Sequence, residues 1–481
     1  MKLINPFVIL RILSNILRIE SISFLCCLPV VIIYKENPDP FIFSSLITIV
    51  TAEILFLISG RTTIEKISTR EGFLSVTLTW IFLTSFGALP YIFSGSINSF
   101  AGAFFESSSG FTTTGSTVIP DVESLPYSIL FWRSITHWIG GFGIIMLVII
   151  ILPSLGMTAG QLFNLESSLK SKIQPRTQAV GLRLLYVYLG LTIAEIILLN
   201  LGEMNMFDSI CHTFGSVATG GFSTKNTSLA GYSAYSQYII MIFMFLSGIS
   251  FVIFYYLVKL RFRKVRQDEE LWFYILVVLF FGTLTSSILI TSTARSIEPA
   301  IREGFFQVIS IITTTGYTTA DYLCWPSAGL VVIFILLFAG GSTGSTTGSI
   351  KMVRHLLVIK NIKNVMTKLI HPNVISQIKI NNKPLSDNAN ISILSFITLY
   401  IFLFLIGTII LVILKIDLIT AGSAVASSLG NIGPGLGSVG PMFHYGNFPS
   451  LVKLILGFLM ITGRLEIITV FILFSKSFWR I

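Results

Sequence analysis

Ten stretches of this sequence are long and apolar enough to cross a bilayer, and between them one polar pattern recurs four times. A helix needs about 20 mostly apolar residues to span the hydrocarbon core. The stretches run over 7–34, 41–60, 73–95, 127–153, 180–201, 235–258, 271–294, 326–350, 390–414 and 449–475. Charge excludes a soluble fold. Asp, Glu, Lys and Arg make up 11% of the 481 residues, against about 25% in soluble domains. The four cysteines have neither metal-ligand nor disulfide spacing. The first stretch carries Arg11 and Arg18 and no small-residue cleavage site, so it is expected to be a span rather than a cleaved leader.

The net charge of +10 is explained by topology rather than by a nucleic-acid partner. Of 32 Lys and Arg, 24 lie in 61–71, 166–183, 259–266, 351–383 and at the two ends, while the alternate connections are nearly bare. Basic residues mark the cytoplasmic side, which predicts that both termini are cytoplasmic. The basic stretch 351–383 can also touch anionic lipid.

The four connections on the opposite side, 100–117, 207–224, 302–319 and 419–437, each hold a short apolar segment followed by a Gly/Thr cluster. Segments of 10–14 apolar residues suggest re-entry rather than a span. The unit is span, half-helix, polar loop, span, and such internal repetition decides the architecture. The clusters align on Gly115, Gly220, Gly316 and Gly433, preceded by Thr113-Thr114, Ala218-Thr219, Thr314-Thr315 and Asn431-Ile432. Irregular backbone at membrane depth persists where protein buries it or water lines it. Four loops around one axis satisfy this by enclosing a pore, where carbonyl oxygens can replace a cation's hydration shell. The four glycines are expected to present such carbonyls, and the half-helix C-terminal ends favour positive charge.

Span 326–350 ends in Gly340, Gly341, Ser342, Thr343, Gly344, Ser345, Thr346, Thr347 and Gly348, too Gly- and Ser/Thr-rich for a firm helix. On residues alone a small-residue packing seam and an intramembrane gate are equal readings. Arg464 lies inside the last span, where a charge normally faces a cavity or a partner. His137 reads as a packing residue, and Glu53 and Glu195 as interhelical or interfacial pairs. Gly435-Leu436-Gly437-Ser438-Val439-Gly440 has dinucleotide-motif spacing but no preceding strand or following acidic partner, so it is not a nucleotide site.

These loops, together with His137–Gly143, Ala339–Gly344 and Gly433–Gly437, resemble the TrkH/TrkG/KtrB superfamily of potassium transporters over nearly the whole chain. The two extra N-terminal spans and Arg70–Phe73 are similar to TrkH rather than to KtrB. The resemblance implies an all-α membrane protein with four helix–pore-loop–helix repeats around one pseudo-fourfold pore, plus two N-terminal helices. The expected units are 1–72 (N-terminal helices), 73–165, 166–266, 267–385 (with the intramembrane gate loop) and 386–481.

The resemblance further implies potassium uptake without an enzymatic step, a filter at the aligned residues, and a gate at 340–348 with Arg464 projecting nearby. K+ is then the transported ion rather than a cofactor. A homodimer in a prokaryotic cytoplasmic membrane and a cytosolic, nucleotide-binding TrkA-like ring are the partners it implies. In plant relatives a Ser at the first-repeat glycine accompanies sodium preference, so Gly115 favours potassium. A sodium-permeable or proton-coupled symporter on the same scaffold is the alternative. A polytopic membrane enzyme or receptor would need a catalytic cluster or soluble domain that the sequence does not contain.

Overall fold

The computed structural model describes residues 4–60, 68–146, 174–293, 295–374 and 377–479. The end of the stretch 127–153, most of the basic segment 61–71, part of 166–183 and the expected boundary at 165/166 lie outside the described residues.

Among the described residues, six helices are long and apolar enough to span: Pro6–Tyr34, Asp39–Ser59, Thr69–Phe93, Gly181–Asn200, Glu269–Ser292 and Asp387–Ile413. Their outward faces carry exposed Val50, Ile54, Leu276, Leu279, Phe402 and Ile409, as lipid contact requires. Three of the ten expected spans are not straight. Ala234–Ser247 meets Phe251–Val258 at 94°, and Ser450–Arg464 meets Ile468–Phe474 at 107°. In 326–350, only Ser327–Leu336 is helical before the chain enters the Gly/Ser/Thr loop. The break at Gly248 is held by that loop: Ser342 N–H donates to Gly248 O at 2.9 Å and Phe251 N–H to Gly344 O at 3.1 Å. Backbone groups freed by the break thus find partners inside the protein.

Between the spans lie four short helices, Phe100–Phe111, Met206–Val217, Ile297–Ile312 and Leu418–Gly430. Their starts are written locally. Ser99, Asn205 and Asp417 accept from Gly102, Asp208 and Thr420 amides at 3.1, 2.8 and 2.9 Å, while Ser296 caps the third without a side-chain bond. The Thr420 amide holds the Asp417 carboxyl below its usual range. Asp417→Ala is expected to cost about 1 kcal/mol in detergent unfolding, and Asp417→Asn much less.

Each short helix packs on both helices of its own repeat. Each also meets the second helix of the preceding repeat. Phe100–Phe111 lies on Ser450–Arg464, Met206–Val217 on Tyr127–Met146, and Ile297–Ile312 on Ala234–Ser247. For the fourth, a Cβ on Gly430 would come within 3.2 Å of Leu337 O, just past Ser327–Leu336. The succession is therefore cyclic. The short helices are polar yet buried, with Ser107, Ser108, Ser109, Ser423, Ser427 and Ser428 fully enclosed. Polar centre and apolar rim invert the soluble pattern.

The one sheet among the described residues is a hairpin, Lys379–Ile380 with Lys383–Pro384. Asn381 and Asn382 turn it with φ of 49° and 61°, the left-handed pair that a tight hairpin demands.

Candidate functional site

The four short helices end alike. The amides of Thr114, Gly220, Thr315 and Ile432 donate back to Ser109, Gly215, Ser310 and Ser427 carbonyls at 2.8, 2.7, 2.8 and 3.0 Å. One residue earlier, Thr113, Thr219, Thr314 and Asn431 have φ of 53°, 58°, 54° and 56°. One residue later, Gly115, Gly221, Gly316 and Gly433 have φ of 83°, 81°, 81° and 108°. Left-handed φ is rare for β-branched residues and persists only where surrounding structure enforces it.

This geometry corrects the expected alignment in the second loop. The glycine equivalent to Gly115 is Gly221, and Gly220 stands where Thr114 does. Ala218 is the C-cap of Met206–Val217, equivalent to Thr112 and not to Thr113. Tandem glycines leave the register ambiguous in sequence, and the backbone dihedrals resolve it.

The loops close on one another in order. A Cβ on Gly115 would run into Gly220 O, one on Gly221 into Thr315 O, one on Gly316 into Ile432 O, and one on Gly433 into Thr114 O. Glycine is thus required here twice, for its φ and for this approach. Among the described residues no donor reaches the carbonyl oxygens of Thr113, Thr114, Thr219, Gly220, Thr314, Thr315, Asn431 or Ile432. All eight residues are buried. Buried carbonyls are nearly always paired, so two rings of four without protein donors form a cage of hard oxygen atoms. Thr113 Oγ1 and Asn431 Oδ1 are buried without partners as well.

Gly433 departs from the other glycines. Its carbonyl accepts from Ser427 Oγ at 2.7 Å, Ser116 Oγ at 2.9 Å and Tyr445 OH at 3.0 Å. Three hydroxyl donors occupy this oxygen, contrary to the expectation that it faces an ion. Gly115, Gly221, Gly316 and Gly433 together line a cavity of about 120 Å³. The charged residues along its wall are Arg133 and Lys225.

The second loop is braced from behind. Phe222 N–H donates to His137 Nε2 at 3.1 Å, so His137 carries its hydrogen on Nδ1 and donates it to Gly110 O at 2.7 Å. With both nitrogens engaged, His137 acts as a packing residue. Gly140 and Gly141 on the same helix allow close approach to Phe111 and Ala218. The Arg133 guanidinium lies 4.0 Å from the Phe222 ring centroid, donates to Ser223 O at 3.2 Å and pairs with Glu106 at 2.9 Å. Glu106 also accepts from Val118 N–H at 2.9 Å, which ties the first loop to the second. Both members of the pair are buried. Arg133→Leu should therefore destabilise by about 3–5 kcal/mol by stranding the Glu106 charge. Arg133→Leu with Glu106→Gln should recover most of that loss in thermal unfolding.

Beneath the cage lies the stretch 340–348. Gly340 N–H donates to Ile350 O at 2.9 Å and Gly341 N–H to Thr347 Oγ1 at 3.1 Å, making a narrow-necked loop. Gly348 N–H donates to Thr314 Oγ1 at 2.8 Å, and Thr346 Oγ1 to Val217 O at 3.2 Å, so the loop abuts the third and second loop ends. Ser345 Oγ donates to Ser342 O at 2.6 Å within it. Arg464 Nη1 donates to Thr346 O at 2.6 Å. Asn431 Nδ2 joins the fourth loop to Thr114 Oγ1 at 3.0 Å and to Met460 O at 2.8 Å.

Several residues here escaped the sequence reading. Lys351 donates to the carbonyl and hydroxyl of Thr347, beside the Arg464 contact. It had counted only toward topology. Arg133 sits inside a span and carried the same intramembrane-charge signal as Arg464. Glu195 receives Ser216 Oγ at 2.6 Å, and Glu53 pairs with Arg18 at 2.7 Å, both as expected.

Known proteins are similar to this chain in sequence and in fold. The family described as TrkH, cation transport protein, matches residues 39–481. The Trk system potassium uptake protein TrkH of Halomonas elongata is 36% identical over 98% of this chain and 99% of its own length. The Escherichia coli K12 protein of the same name is 38% identical over 86% of this chain and 87% of its own. The crystal structure of the potassium transporter TrkH from Vibrio parahaemolyticus superposes with a TM-score of 0.91 at 33% identity, over 98% of this chain and 99% of that one. The protein is an integral membrane transporter and not an enzyme: the chain belongs to the TrkH family of cation transport proteins.

Proposed function

We propose that this protein takes up potassium across a bacterial cytoplasmic membrane by channel-like conduction through the caged loops. The observation that carries this reading is the pair of buried carbonyl rings without protein donors at 113–114, 219–220, 314–315 and 431–432. Such rings can exchange for the water around a weakly hydrated cation. The names of the relatives, potassium uptake proteins, support K+ as that cation. Ala218 leaves the proposed ligand set, and Gly221 takes the part first given to Gly220, that of the glycine that closes on the next loop's carbonyl. Stretch 340–348 obstructs the path directly below, with Arg464 and Lys351 clasping its carbonyls, and serves as the gate. The chain is then organised as two N-terminal helices (1–72) and four pore repeats (73–165, 166–266, 267–385, 386–481), with both termini cytoplasmic.

Purified protein in proteoliposomes should pass K+ and Rb+ well ahead of Na+ and Li+. Equal K+ and Na+ flux in the unmutated protein sinks the reading at its root. A proton-coupled symporter gains no support from His137, whose two nitrogens are both occupied, and the Na+ arm of the flux test decides against or for a sodium-permeable one.

The homodimer and the nucleotide-binding, TrkA-like ring belong to the same reading. Helix Met352–Ile370 supports a protein neighbour: Ile359, Ile362, Met366 and Leu369 are each more than half exposed along one side. Lys360 is engaged by Glu269, so a docking test falls on Lys363 and Lys368. Lys363→Gln with Lys368→Gln should weaken co-purification of the ring and blunt the flux response to ATP or ADP. An unchanged complex with an unchanged response counts against this face.

A further inference from the structure

Three consecutive acids open the span Glu269–Ser292, and each does something different. Asp268 caps its own helix, accepting from Leu271 N–H at 2.8 Å. Glu269 pairs with Lys360 on helix Met352–Ile370. Glu270 turns to the intramembrane loop. Its Oε1 accepts from Thr343 N–H at 2.6 Å, Thr343 Oγ1 at 3.1 Å and Val353 N–H at 3.1 Å.

Those donors lie on the two limbs of the loop. Thr343 is on the descending limb, and Val353 is in the first turn of the helix that leaves it. Below the neck, Met352 N–H donates to Gly341 O at 3.1 Å. A carboxylate oxygen at a helix N-terminus satisfies an amide that the helix cannot, and charge-assisted bonds of this kind are stronger than neutral ones. One oxygen from another span therefore fixes the loop and its following helix relative to each other. Helix Met352–Ile370 is also held further along, among other contacts by Arg354 on Glu466, Lys360 on Glu269 and Asn361 on Asn390. The bond from Val353 N–H joins the start of that helix to the same carboxylate oxygen that holds Thr343.

We propose that Glu270 is the positioning residue of the intramembrane loop: its Oε1 keeps Thr343 and Val353 together, and loss of that grip is the step that frees the loop from the ion path. The proposal rests on the gate reading of 340–348 and adds the residue through which movement of Met352–Ile370 reaches it.

The test is tracer Rb+ flux into proteoliposomes with the full chain and no added partner. Glu270→Ala removes the acceptor. Glu270→Asp keeps the charge but shortens the reach. Glu270→Gln keeps Oε1 and loses the charge. Ala and Asp should raise basal flux about tenfold, as loss of charge-assisted bonds of this strength implies. Gln, which keeps the acceptor but makes only neutral bonds, should raise flux severalfold less than Ala or Asp, and the K+/Na+ ratio should hold in all three variants.

If Gln leaks as much as Ala, charge rather than positioning is at work, and the proposal fails. If Ala and Asp match the parent while a chain lacking 341–347 conducts freely, the loop is the gate but Glu270 does not hold it. If that shortened chain is also no more conductive than the parent, the gate reading itself falls. Should Glu270→Ala not assemble by size exclusion, Glu270→Asp carries the test. Failure of both to assemble overturns the proposal, since a residue that only positions the loop is not needed to fold the chain.

Discussion

Gly115→Ser should collapse the preference for K+ over Na+ while leaving total cation flux measurable. Gly115 has φ of 83°, and a Cβ there is driven into Gly220 O. Left-handed strain in a non-glycine residue costs about 1–3 kcal/mol. A cage that relaxes to relieve that strain moves Gly220 O, which belongs to the proposed ring. A change of 1–3 kcal/mol in the difference between two ions corresponds to roughly 5–150-fold. Gly221→Ser and Gly316→Ser should do the same, since each abuts the next loop's carbonyl in the same way. Ala218→Ser makes a control: it lies at the helix C-cap and should leave the K+/Na+ ratio near the parental value. Reversal potentials under mixed K+ and Na+ gradients provide the measurement. An unchanged ratio in all three glycine variants would remove these loops from the selectivity mechanism.

Removing the gate should have the larger effect on rate. A chain lacking 341–347 is expected to conduct K+ continuously, and Arg464→Ala to raise basal flux by about tenfold or more. Arg464 is buried and donates to Thr346 O, while its Nε and Nη2 have no partners among the described residues. A hydrogen bond from a charged group contributes about 1.5–3 kcal/mol, and each 1.4 kcal/mol shifts a closed–open equilibrium about tenfold. Arg464→Ala also withdraws positive charge from the proposed ion path. Arg464→Lys separates the two causes: it keeps the charge but loses the guanidinium reach to Thr346. A leak in Arg464→Lys as large as in Arg464→Ala assigns the effect to the tether. Basal flux at the parental level in both the deletion and Arg464→Ala would discard the gate.

Membrane character, the four short helices between spans and the Gly/Thr loop ends were legible because each follows from local composition. Low charge requires lipid, and a short apolar segment beside a Thr-Thr-Gly cluster cannot span. The second loop slipped by one residue because Gly220 and Gly221 are interchangeable in a sequence and differ only in φ. The bends at Gly248 and beyond Arg464 were hidden for another reason. Apolar residues continue on both sides, and the groups that stabilise the first break, Ser342 and Gly344, come from another repeat. Glu270 and Lys351 were invisible as site residues because their partners, Thr343 with Val353 and Thr347, become partners only when the loop folds back. Charge at a span boundary reads as topology until its acceptor or donor is known.

The cyclic packing of the short helices sets a condition on biogenesis. Phe100–Phe111, with its three buried serines and Glu106, finds one of its covering helices only in Ser450–Arg464, near the other end of the chain. For most of synthesis this polar segment has no complete shelter. Contacts so distant in sequence are slow to form, and incomplete polar surface at membrane depth is costly. The first short helix is therefore expected to stay incompletely sheltered until Ser450–Arg464 arrives to close the ring. Truncated chains ending before 450 should be recognised as unfinished and degraded, however well their early helices insert.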